Sequence, residues 1–172
     1  LGTPCIEATY YINEVLIGAG LRDQIRLISA GQTATGFDLL EKIALGADTV
    51  NAARAMMIAL GCVQAKACNT NECPTGIATQ NPARARAIVV DEKSQRVNNY
   101  QNSTVHAFLE LCGAMGFSNP DDLSPSDLLS RSEGRGKNFD EIYEPLLENQ
   151  LHTDSIPNNY RDDWHKASAD HF

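Results

Sequence analysis

Positive charge and aromatic side chains are both scarce in this chain. Its 172 residues carry 14 Lys and Arg against 22 Asp and Glu, for a formal net charge of -8, and only 6% are aromatic. An acidic chain with no run of Lys or Arg has no electrostatic footprint for the phosphate backbone of DNA or RNA, which argues against nucleic acid as a partner. Long hydrophobic runs are missing as well. Stretches such as Ala55–Leu60 fall far short of the roughly 20 residues needed to span a bilayer, and no positively charged leader precedes them, so no membrane contact is expected from this segment. Histidines number only 4: His106 reads as packed or solvated on a helix, and His152, His165 and His171 carry no assigned role. No Ser/His/Asp or paired-carboxylate arrangement stands out, so acid–base catalysis is not legible here. The remaining composition, 42% apolar and 21% charged, is one ordinary soluble domain's worth of material. The first residue is Leu1 rather than Met, and a helix start follows at once at Thr3-Pro4, which reads as a piece of a longer protein.

Hydrophobic spacing and punctuation predict alternating elements. Thr3 as N-cap and Pro4 at the first helical position open a helix that runs to about Ala19, with Ile6, Tyr10, Val15 and Leu16 as apolar positions and Gly18 and Gly20 as the stop. Ile25 to Ser29 reads as a buried strand ending in a tight turn at Gly31. Thr35 caps a second helix, with Asp38 near its positive end, Phe37, Leu40 and Ala44 on one side, and Gly46 as its stop. Ala47 to Ala53 reads as the next strand, and Met56 to Leu60 opens a third helix. Helix, strand, helix, strand, helix with short connections is the pattern of βα units around a parallel sheet. Two strands cannot shield such a sheet, so its partners are expected from elsewhere in the same protein or from another subunit.

After a cysteine-containing loop, Val97, Tyr100, Val105, Phe108, Leu109 and Cys112 recur at helical spacing and predict one long helix from about Glu92 to Met115, ended by Gly116. Beyond it, Pro120, Pro125, the stretch from Ser132 to Lys137, Pro145 and Pro157 punctuate short helical pieces around Leu128 and Ile142. The expected division is therefore 1–83 for the βα units with the cysteine loop at 62–73, 84–116 for the long helix, and 117–172 for an irregular extension.

Cys62, Cys68 and Cys73 form a C-x5-C-x4-C pattern in GCVQAKACNTNECPTGIATQ. Five cysteines, three of them clustered, are unlike a secreted disulfide framework and argue for a reducing compartment, read as the cytoplasm, and for ligand chemistry. Thiolates at this spacing can converge on one inorganic centre, and Pro74 resembles the Cys-Pro found where iron–sulfur ligation ends. Soft sulfur ligands select iron–sulfur clusters, zinc or copper(I). Structural zinc wants four ligands in paired C-x2-4-C spacing, and no histidine lies nearby. Three thiolates suit a three-iron cluster, or a four-iron cluster with an outside fourth ligand such as Cys112. The bland alternative makes Cys62 a core residue and the other two incidental, while Cys5 and Cys112 read as buried free cysteines.

Gly31 to Gly36 (GQTATG) joins a strand to a helix and offers glycines, hydroxyls and backbone N–H groups at a positive helix end, the chemistry a phosphate needs, although many structural turns look alike. Arg54, after the next strand, adds a guanidinium that matches phosphate oxygens. Paired loops of this kind form the phosphate site after strands 7 and 8 of many (β/α)8 barrels.

The run ISAGQTATGFDLLEKIALGADTVNAARAMMIALGC, followed by the cysteine segment and TGIATQNP, resembles the FMN-binding domain of glutamate synthase, specifically the stand-alone FMN-binding glutamate synthase-like proteins. The resemblance extends from LGTP to about Leu129, and YRDDWHKASADHF resembles that group's tail. It implies an α/β fold, the C-terminal portion of a (β/α)8 TIM barrel, with Ile25 to Ser29 as strand 7 and Thr49 to Ala53 as strand 8. Ser29, Gly31 and Thr33 would cradle the FMN phosphate, completed by Ala53 and Arg54; Ala53 stands where many FMN barrels have a glycine. Cys62, Cys68 and Cys73 would hold a [3Fe-4S] cluster. The implied activity is that of a flavoprotein oxidoreductase of glutamate biosynthesis. It forms L-glutamate from 2-oxoglutarate and ammonia or glutamine-derived nitrogen, using reduced FMN and electrons passed through the cluster from a ferredoxin or reductase subunit. The implied partners also include the remainder of its own barrel. No amidotransferase domain is present in this segment, and the strands expected to carry the 2-oxoglutarate contacts and the catalytic lysine are absent, so its catalytic residues stay unknown and the segment is not expected to act alone. Two other readings compete: a non-catalytic iron–sulfur electron-transfer module, and an FMN-dependent barrel acting on another small substrate.

Overall fold

The structure is a computed structural model and describes residues 2–132 and 135–170. In chain order come helix α1 (Cys5–Gly18), strand β1 (Ile28–Ala30), helix α2 (Gly36–Ala44), strand β2 (Thr49–Asn51), helix α3 (Arg54–Leu60), the single turn α4 (Pro82–Ala85) and the long helix α5 (Val90–Ala114). A hairpin of β3 (Leu129–Ser132) and β4 (Arg135–Asn138), the turn α6 (Phe139–Ile142) and a last helix α7 (Asn158–Lys166) follow. The fold is mixed α/β. Strands β1 and β2 are neighbours in one two-stranded sheet, and β3 pairs antiparallel with β4, Leu129 opposite Asn138.

The expected order of elements in the first sixty residues is present, with later strand starts. Ile25 does not enter β1 because its N–H already bonds Leu21 O at 3.1 Å and its carbonyl accepts from Arg22 Nη1 at 3.0 Å. A residue with both backbone groups engaged locally has none left for a ladder. Likewise Ala47 N–H closes the end of α2 on Lys42 O at 3.0 Å, so β2 begins only at Thr49. Beyond residue 117 the chain is short elements joined by turns, and β3–β4 and α7 are additions to the expected helical pieces.

The chain divides into two compact units. One comprises residues up to Ser29, Leu40–Val50 and those from Phe117 on; the other comprises Ala30–Leu39 and Asn51–Gly116. The extension joins the first helix in one unit, and the long helix joins the cysteine loop in the other.

In the first unit α1 is the organising element, and its buried stripe is more polar than the sequence pattern predicts: Thr9, Tyr10, Asn13, Glu14 and Gly18 are buried while Ile12 is 42% exposed. Buried polar groups are tolerated where each finds a partner, and here each does. The Thr9 hydroxyl lies 2.8 Å from Ser29 Oγ, Tyr10 donates to Asp140 at 3.0 Å, Asn13 accepts from Arg22 Nε at 2.8 Å, and Glu14 accepts the Leu146 N–H at 2.8 Å. Two of these partners, Asp140 and Leu146, belong to the extension. Beside them Ala19, Leu146, Leu151, Ile156 and Tyr160 form an apolar cluster flanked by Tyr11, Val15 and Trp164. Arg22 ties the other end together through Gly46 O at 2.8 Å and Asp48 at 2.9 Å, and Asp48 accepts the Leu27 N–H at 2.7 Å. Burial works to raise the Asp48 pKa, but the Leu27 N–H, Arg26 and Arg22 outweigh it and hold the carboxyl below its ordinary range.

In the second unit α3 packs against α5. The apolar stripe expected on α5 is only partly covered: Cys112 is buried, but Leu109 is 50% exposed. The N-terminus of α2 lies close against α5 because Gly36 has no side chain. A Cβ there would sit 2.5 Å from Phe108 N and 2.8 Å from Ala107 C.

Two outcomes are expected for the first unit. Leu151→Ala opens a cavity in its apolar cluster and should lower unfolding stability by about 2–5 kcal/mol in a denaturant titration. The second concerns Glu14, whose pKa burial pushes above the ordinary 4.5 despite the Leu146 N–H and Asn13 that favour its charge. A raised carboxyl pKa means that the folded state binds the proton more tightly. This contribution is therefore complete below the ordinary glutamate value and is lost as pH rises through the raised one. Thermal midpoints measured across that window should decline, and Glu14→Gln, which keeps an acceptor for Leu146, should flatten the decline.

Candidate functional site

The loop Gly31–Thr35 between β1 and α2 is built by a local cap. Asp38 accepts the Ala34 and Thr35 N–H groups at 2.9 and 2.8 Å and the Thr35 hydroxyl at 2.9 Å, while the Asp38 N–H lies 3.2 Å from Thr35 Oγ1. This is a capping box with Asp in the place of Glu, and the Thr35 cap read from the sequence is present in it. Within the loop Gln32 adopts a left-handed backbone with φ 48°, a conformation that turns successive N–H groups toward one concavity.

That loop borders an open cavity of about 1040 Å3 within the second unit. Gly31 and Thr33 line it from the loop, Ala53 and Arg54 from the start of α3, and Arg96, Asn99 and Tyr100 from α5. The structure thus brings together four of the five residues proposed from the sequence as a phosphate cradle. Ser29 is placed differently. It is buried, its hydroxyl lies 2.8 Å from Thr9 Oγ1 and 3.4 Å from Cys5 Sγ, and it is not among the cavity's lining residues. The physical reason is strand alternation: side chains of successive residues in β1 point to opposite faces, and Ser29 is the buried one of the three. Ala53 has φ -90° and ψ -63°, an ordinary right-handed conformation, so the backbone there does not require the glycine common in FMN barrels. Arg54 is exposed, and among the described residues no carboxylate forms an ion pair with it.

The three residues from α5 were not readable beforehand as site residues. They lie more than sixty positions after the loop, and their helical spacing signals only a packed face. The hydroxyl of Tyr100 donates to Ala34 O, tying α5 to the loop.

Past α3 the chain turns into the cysteine loop. Gly61, with φ 106°, caps α3 in the left-handed conformation that favours glycine, and Cys62 N–H closes on Met57 O at 2.9 Å. Cys62, Cys68 and Cys73 line a single small hollow together with Val63, Thr75 and Ile77. Cys73 is buried, Cys62 half-buried and Cys68 exposed. The free space at the centre is about 10 Å3, room for roughly one water. Among the described residues no three His, Cys, Asp or Glu side chains are grouped to hold a single metal ion.

The chemistry of the hollow nonetheless suits a thiolate-held group. The Thr75 hydroxyl, 3.4 Å from Cys73 Sγ, and after it the N–H groups of Ala78, Thr75 and Ile77, draw the Cys73 thiol down to about 7. Hydrogen bonds to sulfur are also what tunes iron–sulfur centres. The loop is braced from outside. Asn71, itself left-handed with φ 62°, accepts the Thr79 hydroxyl at 2.9 Å and the Gln80 N–H at 2.7 Å. Gly76, with φ 78°, lies where a Cβ would collide with Arg84 O. Gln64 and Lys66 also have positive φ, at 55° and 56°. Left-handed non-glycine residues at this density mark a loop whose shape is imposed rather than intrinsically preferred.

Comparison with known proteins gives the family of the chain. The sequence model described as a conserved region in glutamate synthase matches residues 1–118, which spans α1 through α5. The chain belongs to the glutamate synthase family. Within that family it is 37% identical over 133 residues to the glutamate synthase large subunit-like protein YerD of Bacillus subtilis, covering 77% of this chain and 25% of that protein. It is 34% identical over 142 residues to the archaeal glutamate synthase (NADPH) of Methanocaldococcus jannaschii, covering 83% of this chain and 28% of that one. The glutamate synthase (NADPH) large chain of Bacillus subtilis is 34% identical over 122 residues, which is 70% of this chain and 8% of that protein. The chain thus spans about a quarter of the length of the first two family members. No helix of the described residues is long and apolar enough to cross a membrane.

The hydrogen bonds around Cys73 give a direct test. In metal-free protein, the rate of Cys73 alkylation plotted against pH should have its midpoint near 7. Thr75→Val removes the largest favourable contact and should move that midpoint upward, as read by mass spectrometry of the labelled peptide.

Proposed function

We propose that this chain is the C-terminal portion of the FMN-binding (β/α)8 barrel of a glutamate synthase-type oxidoreductase, with β1 and β2 as the seventh and eighth barrel strands. The observation that carries the reading is the shared use of α3. Arg54 and Ile58 of that helix line the cavity, while Met57 and the adjoining Cys62 line the cysteine hollow. Seven residues of helix rise roughly 10 Å, so a flavin in the first and an iron–sulfur cluster in the second would be close neighbours.

In this reading Gly31 and Thr33 present backbone and hydroxyl donors to the FMN phosphate, and Arg54 supplies the matching charge. Cys62, Cys68 and Cys73 are the ligands of a [3Fe-4S] cluster, and Thr75 with its neighbouring N–H groups stabilises the sulfur of Cys73 in its charged, ligating form. Bound FMN supplies hydride chemistry, by which the imine of 2-oxoglutarate and ammonia becomes L-glutamate. The chain's own residues bind and orient; the residues that contact 2-oxoglutarate are expected in the preceding barrel strands. Electrons would come from a ferredoxin or reductase subunit, nitrogen from ammonia or glutamine, and the compartment would be the reducing cytoplasm. The large exposed side chains of Ile28 and Phe37, each 56% accessible, are surfaces the rest of the barrel would cover.

The test uses the intact protein that carries this chain, purified without oxygen. FMN, about three irons per chain and an EPR signal in the oxidised state are expected, together with turnover of 2-oxoglutarate and ammonia with a reduced dye. Arg54→Ala should weaken FMN retention by roughly tenfold or more, the worth of a charge-assisted contact, and Cys68→Ser should lose iron. Iron without FMN would point instead to an electron-transfer module. FMN and iron without glutamate formation would point to another small substrate.

A further inference from the structure

The geometry points to Tyr100 of α5 as the positioning residue of the phosphate loop, fixing the Gly31–Thr33 N–H groups for an anionic phosphate; this rests on the reading of the cavity as a flavin phosphate site. The loop's backbone is held at two of its polar faces. On one side Asp38 takes the N–H groups of Ala34 and Thr35. On the other the Tyr100 hydroxyl takes the carbonyl of Ala34. The peptide groups on both sides of Ala34 are thus anchored directly after Thr33 and the left-handed Gln32, and Gly31, Gln32 and Thr33 line the cavity.

A second contact, independent of the first, seats α5 on the same segment. The backbone of Ala107 and Phe108 lies against Gly36, where any side chain would collide. Tyr100 and Ala107 are seven residues apart, two turns of helix, and so share one face of α5. The helix therefore meets the loop at Ala34 and the first residue of α2 at Gly36 with the same stripe. Tyr100 also lines the cavity, so its hydroxyl works at the border of the site and not in a remote core.

A loop ordered in advance binds its ligand with less loss of conformational freedom, and that gain applies only to the group the loop contacts. The discriminating comparison is FMN against riboflavin, which carries the same ring without the phosphate. In the intact flavin-free protein, Tyr100→Phe should raise the Kd for FMN by roughly three- to tenfold, the worth of one hydrogen bond. The Kd for riboflavin should stay unchanged, and the ring retained in Phe should preserve the packing of α5. An unchanged FMN Kd in Tyr100→Phe overturns the assignment. So does an equal loss of FMN and riboflavin, since the hydroxyl then supports the whole cavity and not its phosphate end. Wild-type protein that binds neither flavin overturns the flavin reading itself, a result separate from either of these.

Discussion

Helix α3 is short, and its shortness sets the spacing of everything chemical in the second unit. It begins at Arg54, where β2 has just ended, and Gly61 stops it in the left-handed conformation after seven residues. One face of it walls the larger cavity, and its far end delivers Cys62 to the hollow shared with Cys68 and Cys73. A longer helix would separate those two places, and a missing one would leave the cysteine loop unattached to the strand that precedes it. Helix α5 packs along α3 and provides the third wall.

The first unit solves a different problem with a different material. Its leading helix buries hydroxyl, amide and carboxyl groups, and the extension supplies partners for two of them, Asp140 for Tyr10 and the Leu146 N–H for Glu14. Buried polar pairs of this kind contribute modestly when complete and cost more when broken, so they fix which part of the extension meets which turn of α1. The apolar cluster around Leu151 and Tyr160 adds the nondirectional part of the attraction.

Much of the local grammar of the chain was readable where a residue's role depends on its immediate neighbours, although Pro4 and not Thr3 stands at the N-cap of α1, with no side-chain cap bond. The Thr35–Asp38 cap, the order of helices and strands in the first sixty residues and the extent of α5 all follow from contacts within a few positions. Elements failed to start where expected when a side chain or turn from nearby had already taken the backbone groups, as at Ile25 and Ala47. The hydrophobic stripe of α1 misled for another reason. Periodicity reports which side chains prefer burial, and at Thr9, Asn13 and Glu14 distant partners made burial of polar groups acceptable.

The candidate site divides along the same line. The residue types and spacing of Gly31, Thr33, Arg54 and the three cysteines marked them as candidates, because phosphate and sulfur-ligand chemistry demands particular side chains at short separations. Folding in space added Tyr100, Arg96 and Asn99 to the cavity and turned Ser29 toward Thr9 instead. Nothing in a linear pattern carries that information. Which face of a three-residue strand meets a helix, and which turn of a distant helix meets a loop, are settled by packing between segments that the chain keeps twenty and more than sixty positions apart.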